Sequence, residues 1–409
     1  MKIKKLILFI LSIVFVMVAT LSLSACGRTC RHVYYYTCDH DMHWKECICG
    51  EVKKGTEKPH NFVGGVCSEC TQVEFVEGLE FSKVIKGTDV TYHVKSYSGS
   101  ATNVEIPSAI CGKAVTGVAY RAFDGCKDVV DITLPDTLVF FGDYAFEGCT
   151  SLNYKEENGF KYLGNIFNPY LYLASSTDDS RTSIAIKDGV QFVGTNAFYY
   201  HKSLNEVVIP TSVKGFAKGA FEGCKEGTLT FVNYMGTANE WAEIYFSEPS
   251  ANAIYYSKNL YLSGERIKNL VLSVAEISAY SFFDCNFETL KLEEGVVSIG
   301  QSAFQACNYR ITSPETKYFT NLILPSTLTT IGHSAFRNCS NLRTVTATTS
   351  LKEIGTHAFA NCHDLGVIKY NGKTNDWRAI DFGYEWSFGA TRLSQIRCSN
   401  GSISLSEAE

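Results

Sequence analysis

The stretch that decides the fold is NLILPSTLTTIGHSAFRNCSNL, which runs from Asn321 to Leu342. Counted from Pro325, apolar residues follow at +3 and +6, a glycine at +7, and Ala-Phe-x2-Cys at +10 to +14. The same series starts at Pro135, and it starts again at Pro210 with an alanine in place of the glycine. One unit is repeated along the chain, so the sequence predicts a repeat array rather than a set of ordinary domains.

The phenylalanine of this unit recurs at intervals of 23, 52, 23, 61, 22, 32 and 23 residues, which gives a base period of about 23. A coil of that length cannot bury its own apolar face, so successive coils must stack on one another. We predict that the phenylalanines fill the shared interior. They are Phe123, Phe146, Phe198, Phe221, Phe282, Phe304, Phe336 and Phe359.

The rest of the unit predicts its local structure. Apolar residues alternate just before each proline, as in Ile132 with Leu134 and Leu322 with Leu324, and this period of two predicts a short strand. The glycine at +7 indicates a corner that needs a positive φ or a close approach of backbone. We expect Ala-Phe-x2-Cys to form one helical or 3₁₀ turn, which makes the fold a mostly β solenoid with short helical turns.

A cysteine lies three residues after seven of the eight phenylalanines, and His201 takes this position in the eighth unit. Stacked cysteines come close enough for disulfides, but side chains in register point in parallel, which strains such a bond. We therefore expect buried thiols that pack as small apolar groups, with His201 as a hydrogen-bonded substitute. The cysteines are Cys126, Cys149, Cys224, Cys285, Cys307, Cys339 and Cys362.

From about residue 76 to its end, the chain resembles the BspA-like (Treponema pallidum type) leucine-rich repeat family, whose unit runs through Ile-Pro, Val-x2-Ile-Gly and Ala-Phe-x2-Cys. The segment from Gly78 to Pro107 resembles the family's first half-coil. A second signature occurs twice, 136 residues apart, around Trp241 and Trp377. The resemblance implies a surface protein associated with adhesion. We expect the two tryptophans to act in packing rather than as platforms for sugars.

These patterns divide the chain into five segments. Extra residues interrupt the period near 153–180, 228–265 and 308–318, and insertions in solenoids often carry the binding surface. The first insertion is rich in aromatic residues, which suits contact with protein or glycan, although the same rings suit packing onto the solenoid equally well. The segments are a signal peptide (1–25), a Cys/His module (26–71), a half-coil (72–115), the repeats (116–398) and a tail (399–409).

The N-terminus predicts export. Three lysines within the first five residues precede an apolar stretch from Leu6 to Leu23, which is typical of a signal peptide and near the lower limit for a transmembrane helix. Leu23-Ser24-Ala25-Cys26 resembles the lipobox of bacterial lipoproteins, in which the cysteine is acylated. We expect Cys26 to anchor the chain to the outer side of a bacterial membrane, at the cell surface.

Seven of the sixteen cysteines and four of the nine histidines lie between Cys26 and Cys70, in a segment too short for a large apolar core. The pairs Cys47-x-Cys49 and Cys67-x2-Cys70 resemble a zinc ribbon, with all four sulfurs on one zinc ion. Because the first pair departs from the usual spacing, His43 or His60 is an alternative ligand. Three other interpretations also remain. Cys30, His32 and Cys38 could form a second metal site, the cysteines could form disulfides, or they could be unpaired thiols.

The net charge of −5 argues against nucleic acid as a partner. We found no local catalytic signature, so we expect no catalysis. The sequence favours a cell-surface lipoprotein whose solenoid binds an extracellular protein or glycan. The alternatives are a structural or scaffolding protein of the envelope and an enzyme whose site is built on the insertions.

Overall fold

The computed structural model describes residues 32–39, 41–63, 66–72, 74, 76–308 and 319–405. The predicted signal peptide, Cys26, Cys30 and almost all of the insertion near 308–318 lie outside these ranges. The chain forms two compact units. The first comprises Met1–Leu138 with Ala145–Leu152, and the second comprises Val139–Tyr144 with Asn153–Glu409.

The first unit begins with the Cys/His module, in which β1 to β3 form an antiparallel sheet and β4 and β5 form a hairpin. Strands β6 and β7 then form a long antiparallel hairpin, and β10 adds to β7 in parallel. Strand β9 pairs antiparallel with β10, and β8 pairs in parallel with β11. The strands are β1 (Tyr34–Cys38), β2 (Met42–Cys47), β3 (Lys58–Pro59), β4 (Phe62–Val63), β5 (Val66–Cys67), β6 (Leu79–Lys86), β7 (Asp89–Tyr97), β8 (Asn103–Glu105), β9 (Ala109–Ile110), β10 (Lys113–Val118) and β11 (Asp131–Thr133).

The second unit contains most of the repeats, and each regular coil contributes one longer strand and one strand of two residues. In the described part of this unit, three short α-helices and one 3₁₀ turn (Pro249–Ala251) lie between the strands. The strands up to the middle of the unit are β12 (Phe140–Phe141), β13 (Lys155–Glu157), β14 (Phe160–Leu163), β15 (Tyr172–Ser176), β16 (Ser183–Ala185), β17 (Phe192–Val193), β18 (Glu206–Ile209), β19 (Gly215–Phe216), β20 (Phe231–Tyr234), β21 (Tyr245–Phe246), β22 (Tyr261–Leu262) and β23 (Glu265–Arg266).

The remaining strands are β24 (Asn269–Leu272), β25 (Glu276–Ile277), β26 (Thr289–Leu292), β27 (Ser298–Ile299), β28 (Asn321–Ile323), β29 (Thr330–Ile331), β30 (Thr344–Ala347), β31 (Glu353–Ile354), β32 (Val367–Tyr370), β33 (Asp381–Phe382), β34 (Gln395–Cys398) and β35 (Gly401–Ser404). The helices are α1 (Ala238–Ala242), α2 (Ile254–Ser257) and α3 (Thr374–Arg378).

Parallel ladders join equivalent residues of successive coils. In the longer strands, Leu322 pairs with Val345, Val345 pairs with Ile368, and Ile368 pairs with Ile396. The two-residue strands follow the same rule, so β25, β27, β29, β31 and β33 form one continuous sheet. At the end of the second unit β35 turns back and pairs antiparallel with β34. The predicted mostly β solenoid of coils of about 23 residues is confirmed.

The repeat phenylalanines lie in the core, as the sequence predicted. Seven of the eight are less than 2% exposed, and Phe146 is 8% exposed. The ring of Phe304 stacks on that of Phe282 at 5.5 Å and on that of Phe336 at 5.3 Å, and Phe336 stacks on Phe359 at 5.4 Å. Trp386 continues this row at 6.3 Å from Phe359, although its segment does not match the repeat pattern.

The sequence predicts one helical or 3₁₀ turn for each Ala-Phe-x2-Cys segment. The structure has successive turns there, each closed by a hydrogen bond between residues three apart. In the coil of Phe336, Arg337 N–H donates to the Ser334 carbonyl, and Cys339 N–H donates to that of Phe336. Ser334 and Asn338, two residues to either side of the phenylalanine, have φ values of +54° and +62°. These left-handed residues prevent a helix from continuing, and the corresponding positions of the other coils have positive φ as well.

The glycine at +7 is required for close backbone approach, which was one of its two predicted roles. A Cβ atom on Gly332 would lie 2.8 Å from the Ile299 carbonyl oxygen of the preceding coil, and its φ is not in the left-handed region. A Cβ atom on Gly355 would likewise lie 2.6 Å from the nitrogen of His333. Glycine therefore sets how closely the coils stack along this corner.

The first insertion forms the antiparallel strands β13 and β14, which extend the sheet of β15, β17, β19 and β21. Three of its rings, those of Phe160, Tyr162 and Tyr172, are buried. The second insertion contains α1, where Thr237 and Glu240 form a reciprocal capping box. Trp241 on α1 and Trp377 on α3 are both fully buried, in agreement with a packing role.

We expect Phe336→Ala to lower the free energy of unfolding of the repeats by about 3–5 kcal/mol, because it removes a fully buried ring that stacks on both neighbours. Phe167→Ala is the matched control, since the Phe167 side chain is 84% exposed, and we expect a change below about 0.5 kcal/mol. Urea unfolding followed by circular dichroism measures both. Equal losses in the two variants would contradict a stacked core.

Candidate metal centre and surface of the repeats

Two histidines and two cysteines of the N-terminal module meet at one point. His43 lies in β2, the central strand of the three-stranded sheet, where it pairs with Cys38 on one side and Lys58 on the other. His60 follows β3. Cys67 ends β5, and the turn to Cys70 is closed by a hydrogen bond from Thr71 N–H to the Cys67 carbonyl. We call these four residues the Cys2His2 centre.

The ligand atoms of the Cys2His2 centre lie within 4.8 Å of one another. The distance from Cys70 Sγ to His60 Nδ1 is 3.4 Å, and that from Cys67 Sγ to His43 Nδ1 is 3.8 Å. Zinc bonds of about 2.3 Å to sulfur and about 2.0–2.1 Å to nitrogen place tetrahedral ligands about 3.3–3.8 Å apart. The four atoms therefore fit a zinc ion.

The second nitrogen of each histidine faces an oxygen atom of the kind that supports a metal ligand. Nε2 of His60 lies 3.0 Å from the Asp39 carbonyl oxygen, and Nε2 of His43 lies 3.5 Å from a carboxylate oxygen of Glu69. Carbonyl and carboxylate groups in these positions orient a ligating imidazole and fix its tautomer. Both rings thus turn Nδ1 towards sulfur and Nε2 towards oxygen.

The two thiols of the centre differ strongly in acidity. Burial opposes ionisation of Cys67, but backbone N–H groups of Cys70, Glu69 and Asn61 and the His60 ring lower its pKa to about 5. Burial, together with the neighbouring Cys67 sulfur, raises the pKa of Cys70 to about 11. The site thus favours one thiolate, and a divalent cation between the sulfurs stabilises both.

The four cysteines that we had assigned to one zinc ion do not come together. Cys67 and Cys70 lie beside His43 and His60, which the sequence offered as alternative ligands. Cys47 and Cys49 meet His32 instead. Of the alternative second site, Cys30 lies outside the described residues, and Cys38 forms a disulfide with Cys111.

Cys111 is a residue that the sequence analysis missed. It lies in the loop between β9 and β10, and its disulfide joins the Cys/His module to the half-coil with a Cα–Cα distance of 6.3 Å. Gln72 supports the same junction, because its side-chain oxygen accepts a hydrogen bond from Cys111 N–H at 2.7 Å. The available signal was that Cys111 falls outside both the repeat pattern and the Cys/His cluster.

The cysteines of the repeats are thiols that bond to the preceding coil. Cys339 Sγ donates to the Phe304 carbonyl at 3.1 Å, and Cys362 Sγ donates to the Phe336 carbonyl at the same distance. Burial raises the pKa of Cys339 to about 12 and that of Cys362 well above its usual range. His201 is also buried, and its Nδ1 lies 3.2 Å from the Tyr199 carbonyl.

The tip of the first insertion exposes two large apolar side chains. Ile166 is 88% exposed and Phe167 is 84% exposed, more than any other large hydrophobic residue of the described ranges. The Asn165 side chain accepts hydrogen bonds from the N–H groups of Phe167 and Asn168, both at 2.8 Å. This Asx turn gives the tip a defined conformation.

Among the described residues, the segment 71–112 of the first unit lines two surface depressions. One is lined by Val76, Glu77, Gly78 and Ser98–Ala101. The other is lined by Thr71, Glu74, Val76, Glu105, Pro107, Ser108, Ala109 and Gly112. Neither lining contains a histidine, cysteine or lysine.

Stacked parallel coils with a row of buried phenylalanines define a leucine-rich-repeat solenoid. The chain belongs to the BspA-type leucine-rich repeat family, whose repeat region matches in six copies over residues 94–169, 175–309 and 314–407. The family resemblance of the sequence is thereby confirmed. None of the helices in the described ranges is long and apolar enough to cross a membrane.

Several solved structures are similar to the chain at low identity. A leucine-rich cell surface protein from Faecalibacterium prausnitzii is 20% identical, with 75% of this chain and 97% of that chain covered and a TM-score of 0.30. The leucine-rich repeat protein of T. pallidum is 21% identical, with 57% and 87% covered and a TM-score of 0.25. The pneumococcal vaccine antigen PcpA is 16% identical, with 79% and 86% covered and a TM-score of 0.34. No curated protein matches the chain.

We expect iodoacetamide to leave Cys307, Cys339 and Cys362 unmodified in the folded protein between about pH 7 and about pH 9. A pKa near 12, as for Cys339, leaves only about one thiolate in a thousand at the upper limit, and the thiolate is the reactive form. Unfolding in urea restores an ordinary pKa and exposes all three. Mass spectrometry of the labelled peptides measures this, and rapid labelling of the folded protein would contradict it.

Proposed function

We propose that the protein is a lipoprotein of the bacterial cell surface whose repeats bind an extracellular protein or glycan, without catalysis. Membership of the BspA-type family supports a binding role, because a solenoid uses its buried residues for stacking and leaves its outer faces for contact. The anchor is the predicted lipid on Cys26. The second part of this proposal is one structural zinc ion in the Cys2His2 centre.

The observation that carries the binding proposal is the tip formed by Ile166 and Phe167. The other rings of the same insertion are buried or half-buried, so Ile166 and Phe167 are its exposed large apolar side chains. The Asn165 hydrogen bonds hold the turn before a partner arrives, which reduces the entropy lost on binding. An ordered apolar projection of this kind suits insertion into a pocket of a partner protein or stacking on a sugar ring.

We expect the full-length chain, purified in mild detergent, to bind at least one member of a panel of glycans, matrix proteins and cell-wall fragments. The double substitution Ile166→Ser with Phe167→Ser removes the apolar contact and is expected to weaken that binding at least tenfold. Surface plasmon resonance measures the affinities.

The matched control is Ile323→Ser, which removes a side chain that is 67% exposed on β28, far along the sequence from the first insertion. It is expected to bind as the wild type does. If the double substitution and Ile323→Ser weakened the binding equally, the tip would not be the binding surface. No binding across the whole panel would favour a scaffolding role within the envelope.

The zinc proposal rests on the distances in the Cys2His2 centre and on the oxygen partners of both histidines. The module has a small core, and a structural metal ion supplies folding free energy to such segments. Four protein ligands leave no position for a water molecule to be activated, so the role that fits is structural.

We expect elemental analysis of the full-length chain, prepared without chelators, to find zinc, and His60→Ala to lower the content by about one ion per chain. Removing one imidazole leaves three ligands and weakens binding strongly. Cys398→Ser is the control, because Cys398 lies in β34, far along the sequence from the module, and its zinc content is expected to be unchanged. Less than about half an ion per chain in the wild type would refute a structural zinc.

A further inference from the structure

A second group of metal-binding residues lies at the start of the described chain. His32 precedes β1, Cys47 ends β2, and Cys49 lies in the turn that follows. Their ligand atoms lie within 4.8 Å of one another, and Cys49 Sγ is 3.5 Å from His32 Nδ1. These separations match those of ligands that share one metal ion.

The histidine of this group is oriented in the same way as the two of the Cys2His2 centre. Its Nδ1 faces a sulfur atom, and its Nε2 lies 3.2 Å from a carboxylate oxygen of Glu51. Glu51 is itself held by a hydrogen bond of 2.8 Å from the Tyr34 hydroxyl. A carboxylate or carbonyl oxygen behind the imidazole is the usual support for a metal-bound histidine. In all three histidines of this module, Nδ1 faces a sulfur atom and Nε2 faces such an oxygen.

The backbone around the two cysteines forms a turn that directs both sulfurs to one side. Cys47 N–H donates to the Glu51 carbonyl at 2.9 Å, and Gly50 N–H donates to the Cys47 carbonyl at 2.8 Å. Gly50 has a φ of +86°, which a residue with a side chain rarely adopts. In the sequence Cys47-x-Cys49-Gly50, the glycine therefore allows the turn that brings the two cysteine sulfurs together.

The two groups are too far apart to share an ion. His43 and Cys47 both lie on β2 and are four residues apart, which corresponds to about 13 Å along an extended strand. Each group also has its own histidine, sulfur pair and supporting oxygen. The unusual spacing of Cys47 and Cys49 therefore belongs to a separate site, and is not a distorted half of a ribbon.

We propose that His32, Cys47 and Cys49 bind a second thiophilic divalent cation, such as Zn²⁺, independently of the Cys2His2 centre. Thiolate and imidazole ligands select such ions over Mg²⁺ or Ca²⁺. On binding, each thiol releases its proton to solvent and its sulfur forms the bond to the metal. His32 and Cys49 are exposed whereas Cys67 and Cys70 are buried, so the second ion exchanges with solvent more readily.

The test is titration of the full-length chain, freed of metal, with Co²⁺, whose visible absorption reports tetrahedral sites with thiolate ligands. We expect the wild type to take up about two ions per chain, and His32→Ala or Cys49→Ser to take up about one. His60→Ala is expected to lose the other ion and to keep the one that depends on His32. Cys398→Ser is expected to bind as the wild type does.

Each remaining outcome has one meaning. Uptake of about one ion that is lost in His60→Ala and kept in His32→Ala overturns the second site and leaves the Cys2His2 centre in place. Uptake of about one ion with the reverse dependence refutes the structural zinc and supports the second site. No uptake overturns both. Circular dichroism of every variant checks that the repeats stay folded.

Discussion

The register between neighbouring coils is the constraint on which the rest of the structure depends. Phe336 bonds to the next coil through both of its backbone polar groups, because its N–H donates to the Ala358 carbonyl at 2.8 Å and its carbonyl accepts from the Cys362 thiol. Buried backbone groups must be paired, so these hydrogen bonds fix the position of each coil along the stack and its rotation about the axis of the stack. The stacked phenylalanines then fill the space that this register creates.

Much of this fold could be predicted from the sequence because its determinants are local and recur. Alternating apolar residues before each proline, and a phenylalanine in each coil, indicate strands and core without knowledge of distant contacts. The turns were predicted less well. Ser334 and Asn338 adopt left-handed conformations that their residue types only weakly favour, and the stacking of coils holds them there. Trp386 replaces a phenylalanine in a segment whose spacing departs from the pattern, so only the structure identifies it.

The Cys/His module shows why ligand sets are harder to predict than repeats. The sequence identified the residue types and named His43 and His60 as alternatives, but it gave no way to group them. That grouping follows from the pairing of β1, β2 and β3 and from the separation of His43 and Cys47 by four positions on one strand. Among the described residues, cysteines occur in a disulfide, in clusters with histidine, and as buried thiols that bond to the backbone. Burial and neighbouring histidines, rather than spacing alone, separate them.

The reversed strand β35 has a consequence for self-association. A stack of parallel coils would otherwise present its final strand as a template on which another molecule could continue the array. Because β35 runs antiparallel to β34, a further coil would meet the wrong strand direction. The crosswise indole of Trp386, at 87° to the ring of Phe359, likewise ends the row of parallel rings. Together they disfavour the addition of a parallel coil to the sheet that ends in β35.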